Sequence, residues 1–195
     1  MARRTSLALA VVIAFALLAV PAAALGRTHA RAHHHRHPHR VVAACSSAHT
    51  TVHKGTIRLA RDATLCLLNR VRTRYGLRPL RLNGKLSFVA RRHSRDMVSR
   101  RYFAHDSLNG ASPFQRMRAA HYVPRNASWW LGENIGWGSG PLAQPAALVR
   151  AWMHSPPHRA NILSRHFRDI GIGIAPGAPV GGGGATYTTD FGEHS

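Results

Sequence analysis

The chain has 195 residues, 45% of them hydrophobic and four of them Trp, enough for one domain with a buried core and unlike a disordered or collagen-like composition. Twenty-seven Lys and Arg face seven Asp and Glu, a formal charge of +20, which draws the protein toward polyanions such as envelope polymers, anionic lipid headgroups and nucleic acid. No zinc-finger, helix-turn-helix or RNA-binding signature accompanies the charge, so sequence-specific nucleic-acid recognition is not expected; an arginine-rich, lysine-poor chain also fits a coding bias.

At the N-terminus, Arg3 and Arg4 precede an apolar run over residues 7–20 and the small residues Ala22-Ala23-Ala24. That order reads as a signal peptide cleaved near Ala24. The run is short against the roughly 20 residues that span a bilayer, and no later segment is apolar enough, so no transmembrane span is expected after cleavage. The expected location is therefore the extracellular space or the cell envelope. Residues 25–55 form a low-complexity linker, with His33-His34-His35-Arg36-His37-Pro38-His39 at its centre and almost nothing apolar to bury. Such a tract binds zinc or copper loosely at most, because it imposes no fixed geometry. In an oxidising compartment the even cysteine count favours a Cys45–Cys66 disulfide over two free thiols. The link would be worth about 3 kcal/mol by the chain-entropy estimate.

Residues 56–195 are expected to be the folded domain. Leu65, Leu68, Val71 and Tyr75 recur at helical spacing over residues 57–75, and Gly76 and Pro79 close that segment. A second helix is predicted over residues 83–101, with Leu86, Ala90, His93 and Met97 on one face and His93 as a half-buried core histidine. Ser112-Pro113-Phe114-Gln115 supplies an N-cap, a first-position proline and a capping-box glutamine for a third helix, with Phe114 and Met117 facing inward. A fourth helix ends near His154, where Ser155-Pro156-Pro157 interrupts it. Residues 169–174 alternate with period two and read as a strand; glycines 181–184 read as a hairpin loop and residues 186–191 as its partner strand. Helices first and a terminal hairpin after them indicate an α+β domain.

Four segments carry the polar chemistry: Phe103-Ala104-His105, Gly132-Glu133-Asn134, the run from Trp152 through Ser155, His158, Arg159 and Asn161 to Leu163, and the closing Tyr187-Thr188-Thr189-Asp190-Phe191-Gly192. In this order, with Ile170-Gly171-Ile172-Gly173 before the last, they resemble the bacterial branch of the CAP superfamily (cysteine-rich secretory proteins, antigen 5 and pathogenesis-related proteins; the SCP domain). The resemblance implies a three-layer α-β-α sandwich with a central cleft where His105 and Glu133 meet. In eukaryotic relatives a second glutamate and a second histidine complete a tetrad that can hold zinc or another divalent ion. Here Ser155 and Thr186 stand at those two positions, and His158 is the natural substitute ligand.

Two imidazoles and a carboxylate suit a zinc site with His105, His158 and Glu133 as ligands, or with Glu133 as a base. The same three side chains also suit a metal-free hydrogen-bonded cluster. Ser155, Asn134 and Trp137 are candidates to line the cleft, and Asp106 and Asp190 to support His105. Arg159 and Asn161 are expected to bind backbone or a carboxylate, and Trp152, Phe103 and Ile162 to sit in the core. Two prolines are expected to hold Ser155 away from His158, which disfavours a serine nucleophile. The leading expectation is a secreted module binding an unknown lipid, glycan or peptide. The alternatives are a metal-dependent hydrolase, acting on peptides or cell wall, and an adhesin for anionic envelope polymers working through arginine charge.

Overall fold

A computed structural model describes residues 45–195; the expected signal peptide, the His-rich tract and the rest of the N-terminal stretch lie outside the described residues. Cys45 and Cys66 form a disulfide with a Cα–Cα distance of 5.7 Å. Between Cys45 and the first helix the chain makes turns, and Val52 packs into the main core, so packed chain begins N-terminal of Thr56.

Five helices and four strands follow: α1 Ile57–Arg74, β1 Arg81–Leu82, α2 Gly84–Arg100, α3 Pro113–Ala119, β2 Trp129–Gly138, α4 Pro145–His154, α5 Pro156–Leu163, β3 Asp169–Pro176 and β4 Ala185–His194. Local chemistry explains several boundaries. The Asn83 side chain accepts from Lys85 N and Leu86 N to start α2, and Arg101 ends it in the left-handed region at φ 53°. At α3 the capping box forms in full, with Ser112 Oγ accepting from Gln115 N and Gln115 Oε1 from Ser112 N. The prolines after Ser155 end α4 but also start α5, since Pro156 and Pro157 occupy first-turn positions where no amide donor is needed.

The sheet order is β1-β3-β4-β2, with β1 parallel to β3 and the other pairs antiparallel. Its two faces are covered differently. Ile170, Ile172 and Ile174 of β3, with Tyr187 and Phe191 of β4, meet Ala60, Leu68, Leu148, Trp152 and Ile162 of α1, α4 and α5 in the main core. On the other face Leu86 and Val89 of α2 cluster with Met117 of α3 and Tyr122. The α+β class and the layering agree with the expectation, and each arises from period-two alternation along the strands.

Gly171 and Gly173 set the depth of the second layer. A Cβ on Gly173 would lie 2.1 Å from the Ala90 carbonyl carbon, and one on Gly171 2.1 Å from that of Leu86. Backbone opposes backbone there, so no rotamer change relieves the clash. We expect Gly173→Ala to lower stability by about 2–3 kcal/mol, read as a shift in the urea midpoint at unchanged slope; a midpoint within error of wild type would show that α2 can retreat freely.

Two side-chain expectations change. Phe103 is 45% exposed rather than core, because it stands in the loop between α2 and α3 and not on a packed element. The buried stripe of α1 is Ala60, Thr64, Leu68 and Arg72, and Tyr75 is exposed.

Candidate functional site

Glu133 lies near the middle of β2, opposite Asp190 of β4, which in turn faces Gly171 of β3. With no side chain at Gly171, α2 comes close, and Glu133 and Asp190 point into the layer that α2 and α3 cover. The Glu133 side chain is only 2% exposed. Its Oε1 accepts from His105 Nδ1 at 2.8 Å and its Oε2 from Arg116 Nη2 at 2.6 Å. Arg116 projects from α3, and its Nη1 also donates to His105 O and Ala111 O at 2.8 and 2.9 Å. One guanidinium thus fixes both the carboxylate and the loop that carries His105. His93 of α2 is buried, and its Nε2 donates to Ala104 O at 3.0 Å, which pins the same loop from below.

The charges follow from these contacts. Burial by itself would raise the Glu133 carboxyl, but the hydrogen bond from His105 and the charges of Arg116 and His93 outweigh it and hold the group below its ordinary range. An ionised carboxylate only accepts, so His105 Nδ1 carries the proton. The Glu133 hydrogen bond raises His105. Asp190 is fully buried, and its carboxyl has the Glu133 carboxylate as its hydrogen-bonding neighbour. Burial first, and then the Glu133 charge, push its carboxyl well above the ordinary range, which makes it a neutral acid beneath Glu133 rather than a partner of His105.

His158 comes from the opposite layer. Asn134, the neighbour of Glu133, points to the other face of β2, where its Nδ2 donates to His158 O at 3.1 Å and its Oδ1 accepts from Asn161 Nδ2 at 2.9 Å. Asn161 Nδ2 also donates to Glu133 O, and Trp152 Nε1 to Ile135 O. These bonds clamp α4 and α5 onto the edge strand and assign Asn161 and Trp152 the structural roles expected of them. Asn134 is therefore a buried clamp and does not line the cleft. Arg159 is exposed, with Nη2 on Tyr75 OH. β2 is an edge strand of the sheet. Burial, and then the charge of His105, lower His158.

Ser155 and His158 are not held apart: Ser155 Oγ lies 2.7 Å from His158 Nδ1. The two prolines begin α5, and positions three apart on a helical turn share a face. Trp137 is on the same face of β2 as Glu133 but four residues along, about 13 Å at strand spacing. It is 38% exposed and stands away from the cleft centre. Arg116 went unsingled among so many arginines; its only sequence mark is a place one turn after the Ser112 cap.

Among the described residues no group of three or more His, Cys, Asp or Glu side chains is set to hold a metal ion. Both Glu133 oxygens are engaged, one by a guanidinium that repels a dication, and His158 belongs to the other layer.

Residues 65–189 match the model of the cysteine-rich secretory protein family, CAP. The chain is 40% identical over 114 residues to the uncharacterized protein YkwD of Bacillus subtilis, a match covering 58% of this chain and 42% of YkwD. It is 32% identical over 112 residues to the uncharacterized membrane protein YlbC of the same organism, covering 56% of this chain and 30% of YlbC. The match therefore spans less than half of either relative. Among solved structures, an extracellular SCP-domain protein of Bacillus anthracis superposes with TM-score 0.52 at 28% identity, covering 70% of this chain and 40% of that one. An outer surface protein of Borrelia burgdorferi superposes with TM-score 0.54 at 20% identity, covering 66% and 87%, a likeness of fold. No helix among the described residues is long and apolar enough to cross a membrane. With the motif order, the two-layered packing of helices on the sheet and the His105–Glu133 pair in place, the chain belongs to the CAP family and stands with its bacterial members.

Proposed function

We propose that the domain is an exported ligand-binding module. Its cleft, with His105, Glu133 and Arg116 on one side of the edge strand and Ser155 and His158 on the other, receives a polar group of a lipid, glycan or peptide. The observation that carries this reading is the double engagement of Glu133. A general base works best with a pKa near the operating pH, whereas this carboxylate is held below its ordinary range by the His105 hydrogen bond and the Arg116 charge. A pre-set array of donors suits binding instead. The Cys45–Cys66 disulfide supports an oxidising compartment, as does the signal-like N-terminus.

Hydrolysis is the second reading, favoured by the Ser155–His158 contact. Incubating the secreted protein with peptide and peptidoglycan substrates, with and without Zn²⁺, separates the two. The expected result is no turnover in either condition. Turnover that disappears in Ser155→Ala or Glu133→Gln would replace the binding reading with an enzymatic one. Calorimetric titration of Zn²⁺ into wild type, His105→Ala and His158→Ala addresses the metal; equal affinity in all three removes these imidazoles from any metal role.

A further inference from the structure

The first residues of β2 carry aromatic rings that neither the core nor the cleft uses. Successive strand residues point to opposite faces, so Trp129 and Trp130 diverge. Trp129 stacks on Phe114 of α3 with ring centroids 4.5 Å apart, and Trp130 stacks on His166 at 3.8 Å with 12° between the planes. His166, just beyond α5, covers one face of the indole, yet Trp130 is 55% exposed, so its other face is open to solvent. The rim of this platform is polar. Glu193 of β4 is the direct cross-strand partner of Trp130, which puts both side chains on one face with Cβ atoms about 5 Å apart. Among the described residues Glu193 is in no ion pair. Arg165 beside His166 is exposed, while Arg168 is committed to backbone, its Nη1 donating to Arg165 O at 2.7 Å and Phe167 O at 3.3 Å.

One free carboxylate and one free guanidinium around an open indole balance each other, unlike the rest of this arginine-rich chain. A local patch without net charge gives anionic polymers no advantage. A single pre-set ring plane with hydrogen-bonding groups at its rim matches a pyranose instead. The indole face is electron-rich, and a pyranose with equatorial hydroxyls turns a row of polarised C–H groups toward it. Its rim hydroxyls can then donate to the Glu193 carboxylate and accept from Arg165. We propose that Trp130, His166 and Glu193 form a glycan-binding platform for equatorially substituted pyranoses, the class that includes β-linked N-acetylglucosamine chains. Trp130 and Glu133 point to opposite faces of β2, and no residue of the platform belongs to the cleft. The platform therefore goes beyond the reading given for the cleft and stands without it.

The test is titration of the full protein with the β-linked N-acetylglucosamine tetrasaccharide, read by calorimetry and by tryptophan fluorescence. Oligoproline and oligothymidylate serve as comparison probes, since a proline ring or a base also stacks on an indole. The tetrasaccharide should bind saturably and more tightly than either. Trp130→Ala should lose about tenfold, the scale of one lost stacking contact. Glu193→Gln, which keeps the shape and removes the charge, should lose about threefold or more. Trp137→Ala removes another exposed indole of the same strand and should bind as wild type. Trp130 and Trp137 are exposed and Glu193 is half-buried, and unchanged thermal midpoints confirm folding. No saturable binding of the tetrasaccharide, equal or tighter binding of either comparison probe, an unaffected Trp130→Ala or Glu193→Gln, or an equal loss in Trp137→Ala would each overturn the proposal.

Discussion

Glu133→Ala is expected to lower stability by about 3–5 kcal/mol, the range for removing one partner of a buried ion pair and leaving the other charge behind. The Arg116 side chain is only 12% exposed, and although its Nη1 keeps carbonyl acceptors, Nη2 loses its carboxylate. The loop with His105 loses one of its anchors in the same step, the bond from His105 Nδ1. Because the Glu133 hydrogen bond is the largest cause of the raised His105 value, the variant should also return that imidazole toward or below 6.5, visible in an NMR titration of its ring protons.

The pH dependence follows from the same two groups. His105, raised in the folded protein, contributes stability that is complete below its unfolded value and is lost as pH rises through the folded one. Glu133, lowered in the folded protein, contributes stability that is complete above 4.5 and is lost as pH falls through its folded value. The stability gap between wild type and Glu133→Ala should therefore be widest between about pH 4.5 and 6.5. A gap that is flat from pH 4 to 8, or a urea midpoint unchanged at pH 6, would mean that the His105–Glu133–Arg116 network does not hold the loop. Asp190 acts in the opposite sense. Its raised carboxyl costs the fold stability as pH rises from 3.8 through its folded value, and losing the Glu133 charge should bring it down.

The second large effect is expected at Arg72, far from any acid. This fully buried side chain donates from Nε to Arg78 O at 2.9 Å, from Nη1 to Ile162 O and Ser164 O at 2.8 and 2.9 Å, and from Nη2 to Phe167 O at 3.2 Å. Four carbonyls from the α1–β1 connection, the end of α5 and the approach to β3 converge on one planar fork. Arg72→Met would fill much of the volume but leave those carbonyls without donors, at about 1–3 kcal/mol for each one left buried. We expect a total loss of about 4–5 kcal/mol, because some carbonyls will find water. Arg72→Lys should recover only part of it, since an ammonium cannot reach four divergent acceptors. A thermal midpoint for Arg72→Met close to that of wild type would show that the bonds are replaceable. Since the fork holds the last turn of α5, a partly folded variant should also shift the ring resonances of His158.

How far the sequence reached depends on the range of the physics. Helix starts are local: the Asn83 and Ser112 caps, the first-position prolines and the period-two run of β3 each depend on residues within a turn or a pleat, so α1 to α4 and the β3–β4 hairpin were legible. The second helix begun by Pro156 was not, because the same dipeptide stops one helix and starts another, and only the packing of Ile162 and the Asn161 clamp choose between the two. The Ser155–His158 contact was missed for that reason.

The sequence by itself determined the family, the α+β class, the disulfide partners and the meeting of His105 with Glu133, since each is carried by motif order, periodicity or cysteine count. Only the tertiary structure decided which charge completes the site. Arg116 reaches Glu133, and Arg72 becomes a core residue, through three-dimensional convergence of segments distant in the chain. Apart from the place of Arg116 one turn after the Ser112 cap, nothing in the neighbours of either arginine distinguishes it from the other basic residues. Strand alternation, once the edge position of β2 was known, turned Asn134 away from the cleft and put His158 in the opposite layer, so the ligand set suggested by the motifs became a carboxylate held between an imidazole and a guanidinium.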